Sequence, residues 1–213
     1  MIYSENILVC MVLPLILAAV ILRDKTRNFV ICFIVGMITS LLGAYVSGFI
    51  DVVSGYGNET TAIYISPVVE EIMKFLPLLF YYLLFEPTDE KLVHAATGIG
   101  AGFASFENVC SMISSGTENL GFLLIRGLAV GVMHIVSVFA LVIGFAIARK
   151  YKVSGFTTIL GALSSSMLFH AAYNLLVSEP GVSSAIGFCL PVVTAVILLA
   201  SYKRLRPEKK ATK

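Results

Sequence analysis

Two adjacent glutamates, Glu70 and Glu71, lie in the middle of a segment at 61–85 that is otherwise apolar enough to cross a bilayer, and Lys74 follows one turn later. Hydrocarbon solvates charge poorly, and each acid or base held at the centre of a membrane helix costs roughly 2.5–3.5 kcal/mol. Other apolar segments carry further polar side chains, namely Glu107, Arg126, His134, His170 and Asn174. We therefore expect these groups to face one another, or water, inside a helix bundle.

The composition places the chain among integral membrane proteins. Hydrophobic residues make up 58% of the sequence and charged residues 13%, whereas soluble domains carry about 25% charge. The apolar runs have the length of about 20 residues that a membrane helix needs, which excludes a barrel of short alternating strands. The sequence predicts an all-α, polytopic bundle of about seven transmembrane helices, at 7–22, 29–50, 61–85, 92–113, 121–148, 154–177 and 183–201.

Lysine and arginine are distributed unevenly between the loops. They occur in the first, third and fifth loops and in the C-terminal segment, and they are missing before residue 7 and near 51–60, 114–120 and 178–182. The positive-inside rule then predicts an extracytoplasmic N-terminus and a cytoplasmic C-terminus in a multi-pass protein of the cell membrane. We expect one transmembrane domain at 1–202 and a basic cytoplasmic tail at 203–213. Membrane lipids are an expected partner of such a chain, and nucleic acid is not.

Spacing predicts which polar side chains share a helix face. Glu70 and Lys74 are separated by four residues and can pair, whereas Glu71 is rotated by about 100° from Glu70 and can address another partner. The same four-residue spacing relates Phe103 to Glu107 and His170 to Asn174.

The depths of these groups in the membrane also agree. At 1.5 Å per residue, the two glutamates lie roughly 14 Å below the outer surface, Glu107 roughly 9 Å and His170 roughly 10 Å. His134 comes out deeper, at roughly 20 Å, unless its helix begins nearer Arg126. The sequence thus predicts a polar site in the outer half of the bilayer.

Several other residues have simpler expected roles. Arg126 is expected to extend toward the headgroups as a structural residue, and His94 to form an interhelical hydrogen bond. The glycine pairs Gly98 with Gly102 and Gly127 with Gly131 are spaced four apart, which predicts close helix contacts.

Four segments together resemble the motif blocks of the PrsW family of intramembrane proteases, which are relatives of the type II CAAX prenyl endopeptidases. The segments are SPVVEEIMKF, GFASFENV, MHIVSVFALVIG and FHAAYN, and the resemblance spans about residues 60–177. It implies catalytic roles for Glu70, Glu71, His134, His170 and Asn174. It implies supporting roles for Lys74, Phe103, Glu107 and Asn108. Glu107 stands where the prenyl endopeptidases carry a histidine, so which histidine assists the reaction is left open.

The resemblance implies hydrolysis of a peptide bond in a single-span membrane protein, such as an anti-sigma factor. A glutamate of the pair, helped by a histidine, would activate water. His170 and Asn174 would stabilise the oxyanion.

Three alternatives remain open from the sequence. A zinc ion held by Glu71, His134 and His170 would also suit hydrolysis, although the sequence contains no HExxH pair and a metal-free mechanism is favoured. A proton or cation transporter would use buried carboxylates as a path, but the chain has no inverted repeat. A scaffold without catalytic activity would keep the helices and some of the polar pairs without turnover.

Overall fold

The computed structural model describes residues 3–116, 119–151 and 153–205, and seven long helices account for most of them. We number the helices α1 Ser4–Ile21, α2 Asp24–Ser54, α3 Ser66–Phe85, α4 Asp89–Ser115, α5 Leu120–Tyr151, α6 Gly155–Ser178 and α7 Val182–Leu205. Within these described ranges there is no strand. The predicted all-α bundle is confirmed, and each predicted segment corresponds to one helix.

Five of the seven helices, α1, α2, α5, α6 and α7, are long and apolar enough to cross a membrane by length and composition alone. The exceptions, α3 and α4, carry charged side chains that lower their apolar character. In α3 these are Glu70, Glu71 and Lys74. The two helices that lack a simple membrane signature are therefore those that bring carboxylates into the bundle.

Glycines allow α2 and α4 to pack closely. A β-carbon at Gly102 would lie 1.9 Å from the backbone oxygen of Phe33, and one at Gly98 would lie 2.8 Å from the β-carbon of Cys32. The predicted contact role of this pair is confirmed. The prediction for Gly127 and Gly131 is wrong, because a β-carbon at either position would meet no atom within 4 Å. Spacing alone does not say which helix face has a neighbour.

An apolar core closes one end of the bundle. It joins α3, α4 and α5 through buried side chains that include Leu78, Leu92, Ala96, Val138 and Phe145. Removing such surface from water or lipid contact and packing it densely fixes the relative positions of the three helices. The polar side chains of the site lie beyond this core, toward the opposite end of the bundle.

A distorted segment leads into α3. A helical turn at Asn58–Thr60 continues into a π-helical turn at Thr61–Ile65, and Pro67 lies in the first turn of α3. In π-helical spacing the donor for the Ala62 carbonyl would be the backbone of residue 67, and proline has no N–H to give. The side-chain amide of Asn174 donates to this carbonyl instead, at 2.9 Å. The segment is thus held to α6 by a side chain.

The predicted tail at 203–213 falls mostly outside the described residues. Helix α7 ends at Leu205, and residues 206–213 lie beyond the described part of the chain.

Candidate active site

Lys74 and Glu71 form the buried centre of the site, with both side chains 0% exposed. The Lys74 ammonium donates to Glu71 Oε1 at 2.6 Å and to Ser137 Oγ at 3.1 Å. Its third neighbour is His134 Nδ1, at 2.9 Å. The expected pairing of Lys74 with Glu70 is wrong, because the lysine is turned toward the glutamate three residues before it rather than four.

His170 on α6 is oriented by the same carboxylate. Its Nδ1 lies 2.8 Å from Glu71 Oε1, and since an ionised carboxylate only accepts hydrogen bonds, Nδ1 carries the proton and donates it. The other ring nitrogen, Nε2, lies 3.7 Å from Glu70 Oε2. This second ring nitrogen therefore faces Glu70.

His134 on α5 joins the cluster from the opposite side. Its Nε2 lies 2.5 Å from Glu107 Oε2, and its ring meets the His170 ring edge to face with centroids 5.1 Å apart. The buried Phe103 ring packs 4.8 Å from the His134 ring, and the Lys74 ammonium lies 4.9 Å from the centre of the same phenyl ring. Gly100 allows α4 and α5 to approach here, because a β-carbon on it would lie 2.9 Å from the His134 carbonyl oxygen.

Glu70 differs from Glu71 in facing a cavity of about 360 Å³. The cavity is bounded by α3, α4, α5 and α6 and by the distorted segment before α3, and its lining includes Glu59, Ala62, Ser66, Glu70, Glu107, Arg126, His170, Asn174 and Ser178. Glu70 Oε2 is buried and has no hydrogen-bond partner among the described residues. The cavity lies at the end of the bundle whose loops, near 51–60 and 178–182, lack lysine and arginine.

Arg126 lines this cavity and is directed to groups on α4 rather than outward as expected, while its expected structural role stays a prediction. Its Nη1 donates to Asn108 Oδ1 at 2.9 Å, and its Nη2 lies 4.0 Å from Glu107 Oε1. A guanidinium has five N–H donors, so most of them remain for other acceptors in the cavity. The amide of Asn108 and the carboxylate of Glu107, both on α4, explain why the Arg126 side chain turns inward.

His134 reaches the level of the other polar groups although α5 begins early. From Leu120 to His134 the helix rises by about 21 Å, whereas α4 rises by only about 12 Å from Glu107 to Ser115. The start of α5 therefore extends or tilts beyond the end of α4. His134 is therefore less deep below the outer surface than the roughly 20 Å expected if α4 ended and α5 began at the same level.

The structure also brings in serines that the sequence reasoning missed. Ser137 accepts from Lys74 and donates to the His134 carbonyl, and Ser166 donates to the Ser137 carbonyl at 2.8 Å. Both follow helix spacing, since Ser137 is three residues after His134 and Ser166 is four residues before His170. This spacing is the sequence signal that could have identified both serines.

His94 lies apart from this cluster, in a separate cavity lined also by Lys25 and Lys91.

The residues fit a metal ion at one position. Ligand atoms of Glu70, His134 and His170 all lie within 4.8 Å of one another, and the unpartnered Glu70 Oε2 is an available anionic ligand. The bond from His170 to Glu71 is the carboxylate–histidine arrangement that orients metal-binding imidazoles. This set contains Glu70 where the sequence reasoning named Glu71. Glu71 Oε1 is already bound by Lys74 and His170, and its Oε2 has no hydrogen-bond partner among the described residues.

The fold and the site define a class of protein: a polytopic membrane bundle that holds two glutamates, two histidines and a lysine within its interior. A family model described as "PrsW family intramembrane metalloprotease" matches residues 24–202, and the chain belongs to this family. Searches of curated proteins and of solved structures each returned no match. The resemblance read from the sequence is confirmed, and with it an integral membrane protein related to intramembrane proteases.

Proposed function

We propose that this chain is an intramembrane endopeptidase that hydrolyses a peptide bond of a membrane-protein substrate with water activated by Glu70. The observation that carries the proposal is the contrast between the two glutamates. Glu71 is fully buried and its Oε1 is bound by Lys74 and His170, whereas Glu70 lines a cavity that a water molecule can enter. The Oε2 atom of each glutamate has no hydrogen-bond partner among the described residues, but only that of Glu70 belongs to a residue that lines the cavity. A general base must be within reach of its water and free to take a proton.

In the proposed reaction, water lies between Glu70 and the scissile carbonyl. Glu70 takes a proton from the water while the water oxygen bonds to the carbonyl carbon, and the negative charge moves to the carbonyl oxygen. When the C–N bond breaks, Glu70 returns the proton to the leaving amine. Base catalysis of this kind contributes about 10²–10⁴ in rate.

The other residues then have distinct proposed roles. His170 Nε2, with its lone pair facing Glu70, helps to hold the water, and Glu71 orients His170. Arg126 offers N–H donors on the cavity wall to the substrate carbonyl and its developing charge. Asn174 anchors the distorted segment at Ala62, which is a change from the oxyanion role that the sequence resemblance implied. Lys74, Phe103, Glu107 and Asn108 hold these groups in place.

A zinc-dependent reaction is the second candidate, favoured by the ligand geometry of Glu70, His134 and His170 and by the description of the family. Bound there, zinc would supply a hydroxide nucleophile near neutral pH and polarise the carbonyl. In this version Glu71 would still orient His170, and Arg126 would still face the substrate.

The proposed substrate is a single-span membrane protein, of which an anti-sigma factor is an example, cut in the outer half of the bilayer. The cavity opens at the end of the bundle whose loops lack cations, which is the outer end under the positive-inside rule. A cavity of about 360 Å³ admits a short unwound stretch of chain but not a helix about 10 Å across. The proposed topology keeps the N-terminus outside and the C-terminus in the cytoplasm.

The test compares new protein N-termini in membranes from cells that express the wild-type chain, Glu70→Gln or Glu179→Gln. Glu179 is exposed at the same end of the bundle but does not line the cavity, so it is the matched control. We expect cleavage products with the wild type and the control that are lost with Glu70→Gln. Identical products in all three samples would overturn the proposal.

Metal analysis of the purified, active protein separates the two chemistries. The glutamate reaction predicts activity without stoichiometric metal and no effect of chelators. One tightly bound zinc per chain, together with chelator-sensitive cleavage that added Zn²⁺ restores, would instead establish the second candidate.

A further inference from the structure

The protons on the two site histidines are determined by different neighbours. An ammonium group has three N–H donors and no lone pair. Lys74 Nζ has three neighbours at hydrogen-bond distance, namely Glu71 Oε1 at 2.6 Å, His134 Nδ1 at 2.9 Å and Ser137 Oγ at 3.1 Å. Each of the three donors therefore has one acceptor, and the lysine is fully satisfied although it is completely buried.

Ser137 fixes the direction of these bonds. Its hydroxyl hydrogen is directed to the His134 carbonyl oxygen, at 3.0 Å, so toward Lys74 the hydroxyl oxygen can only accept. The carboxylate of Glu71 also only accepts. Lys74 thus donates one N–H to Ser137 and one to Glu71. Because an ammonium has no lone pair, its third N–H also donates, and it points to His134 Nδ1.

We propose that Lys74 and Glu71 fix opposite proton positions on the two histidines, so that His134 presents an N–H and His170 presents a lone pair. A donor at His134 Nδ1 leaves the proton of the neutral ring on Nε2, which donates to Glu107 Oε2 at 2.5 Å. Glu71 is an acceptor at His170 Nδ1, so the single proton of the neutral His170 ring lies on Nδ1. The lone pair of His170 is then on Nε2, toward Glu70.

This arrangement divides the roles of two residues that look alike in sequence. His170 is the histidine that can accept a proton or bind a cation beside Glu70, and His134 is a hydrogen-bond donor that must lose its Nε2 proton before it can do either. Lys74 is then a positioning residue that acts through His134. The division of roles in the reaction rests on the proposed function, and the proton positions apply to the metal-free site, because a cation bound to His134 would displace its Nε2 proton.

The competing arrangement places the His134 proton on the other ring nitrogen. If Lys74 were a neutral amine, it would donate to Glu71 and Ser137 and accept from His134 through its own lone pair, which would place the His134 proton on Nδ1. The ion pair with Glu71 argues for the charged lysine, since the carboxylate has no other lysine or arginine partner in the described part of the chain.

The test is nitrogen NMR of the full-length protein labelled with ¹⁵N-histidine and kept in lipid nanodiscs. Bound-proton and lone-pair ring nitrogens differ strongly in chemical shift, and His134→Gln and His170→Gln assign the signals. His94→Gln removes the one other histidine. We expect the proton of His134 on Nε2 and that of His170 on Nδ1. A His134 proton on Nδ1, or the same position in both rings, would overturn the proposal.

A double variant, Glu71→Gln with Lys74→Met, tests the cause. It removes both buried charges together, and the amide oxygen at position 71 still accepts from His170. We expect the His134 signals to move toward the other proton position while those of His170 stay unchanged. Lys91→Met is the control, because it removes a lysine outside the cluster and should change neither ring. Unchanged His134 signals in the double variant would show that Lys74 does not fix this proton. The spectra can be read whether or not the protein cleaves a substrate, so this failure is distinct from failure of the proposed function.

Discussion

Glu70 and Glu71 are neighbours in sequence but occupy different environments. Glu71 is 0% exposed, and its Oε1 is shared by Lys74 and His170. Glu70 has a side chain that is 16% exposed, lies 3.7 Å from His170, and lines the cavity. A rotation of about 100° between consecutive helix positions is enough to place one carboxylate in the closed centre and the other on an open wall.

This difference separates stability from chemistry. A fully buried charge is tolerated only when its partners are in place, so the Glu71–Lys74 pair ties α3 to α5 and α6. A carboxylate with an unused oxygen on a cavity contributes little to the fold and is available for reaction. We call the buried Glu71–Lys74 pair the closed half of the site, and Glu70 with the cavity it lines the open half. The two halves should respond differently to the same kind of substitution.

The largest expected effect is loss of stability in the closed half. Glu71→Gln or Lys74→Met alone leaves one buried charge without its partner, which costs about 3–5 kcal/mol. Together the two changes remove both charges, and we expect the double variant to lose less free energy of unfolding than either single variant. Unfolding of the purified protein by denaturing detergent, followed by circular dichroism, measures these differences.

The exposed pair Lys25–Glu90 provides a matched control, because its atoms are also 2.6 Å apart but its side chains are 64% and 54% exposed. Lys25→Met should change the unfolding free energy by less than about 1 kcal/mol. Equal effects at Lys25 and Lys74 would contradict the assigned role of burial.

The next effect concerns the open half. Glu70→Gln should lower the rate of substrate cleavage by at least about 10² while leaving the unfolding free energy close to that of the wild type. The amide keeps the size of the carboxylate, and no ion pair with lysine or arginine is lost at this position in the described residues. A variant that keeps most of its cleavage rate would exclude Glu70 as the base.

The sequence predicted the bundle and the set of polar residues but not their pairing. Long apolar runs and the cost of charge in lipid are properties that a sequence carries directly. Which of Glu70 and Glu71 meets Lys74 depends on the lysine rotamer and on helices far away in sequence, so spacing favoured the wrong partner. Arg126 was misplaced for the same reason, since its acceptors on α4 are not visible from α5 alone.

A smaller effect on stability is expected when one glycine from each of the two equally spaced pairs is replaced by alanine. Gly102→Ala places a β-carbon 1.9 Å from the Phe33 carbonyl oxygen, whereas Gly131→Ala places one where nothing lies within 4 Å. Overpacking of this kind typically costs about 1–3 kcal/mol, so Gly102→Ala should lower the unfolding free energy and Gly131→Ala should leave it almost unchanged. Equal losses at both positions, in the same detergent unfolding assay, would mean that α5 has a neighbour at Gly131 that this arrangement of helices does not contain.

The smallest effect is expected at Asn174, at the edge of the open half. Its amide donates to the Ala62 carbonyl at 2.9 Å, and a single hydrogen bond contributes about 0.5–1.5 kcal/mol. Asn174→Ala should therefore lower the cleavage rate by about tenfold or less, because the distorted segment that forms the cavity wall becomes less fixed and the base itself is untouched. A direct oxyanion donor behaves differently, since its loss costs about 10²–10³ in turnover without loss of stability. Kinetic constants and unfolding curves measured on the same preparations, with Glu179→Gln as control, decide between these roles. A loss of 10² or more at unchanged stability would return Asn174 to the reaction centre.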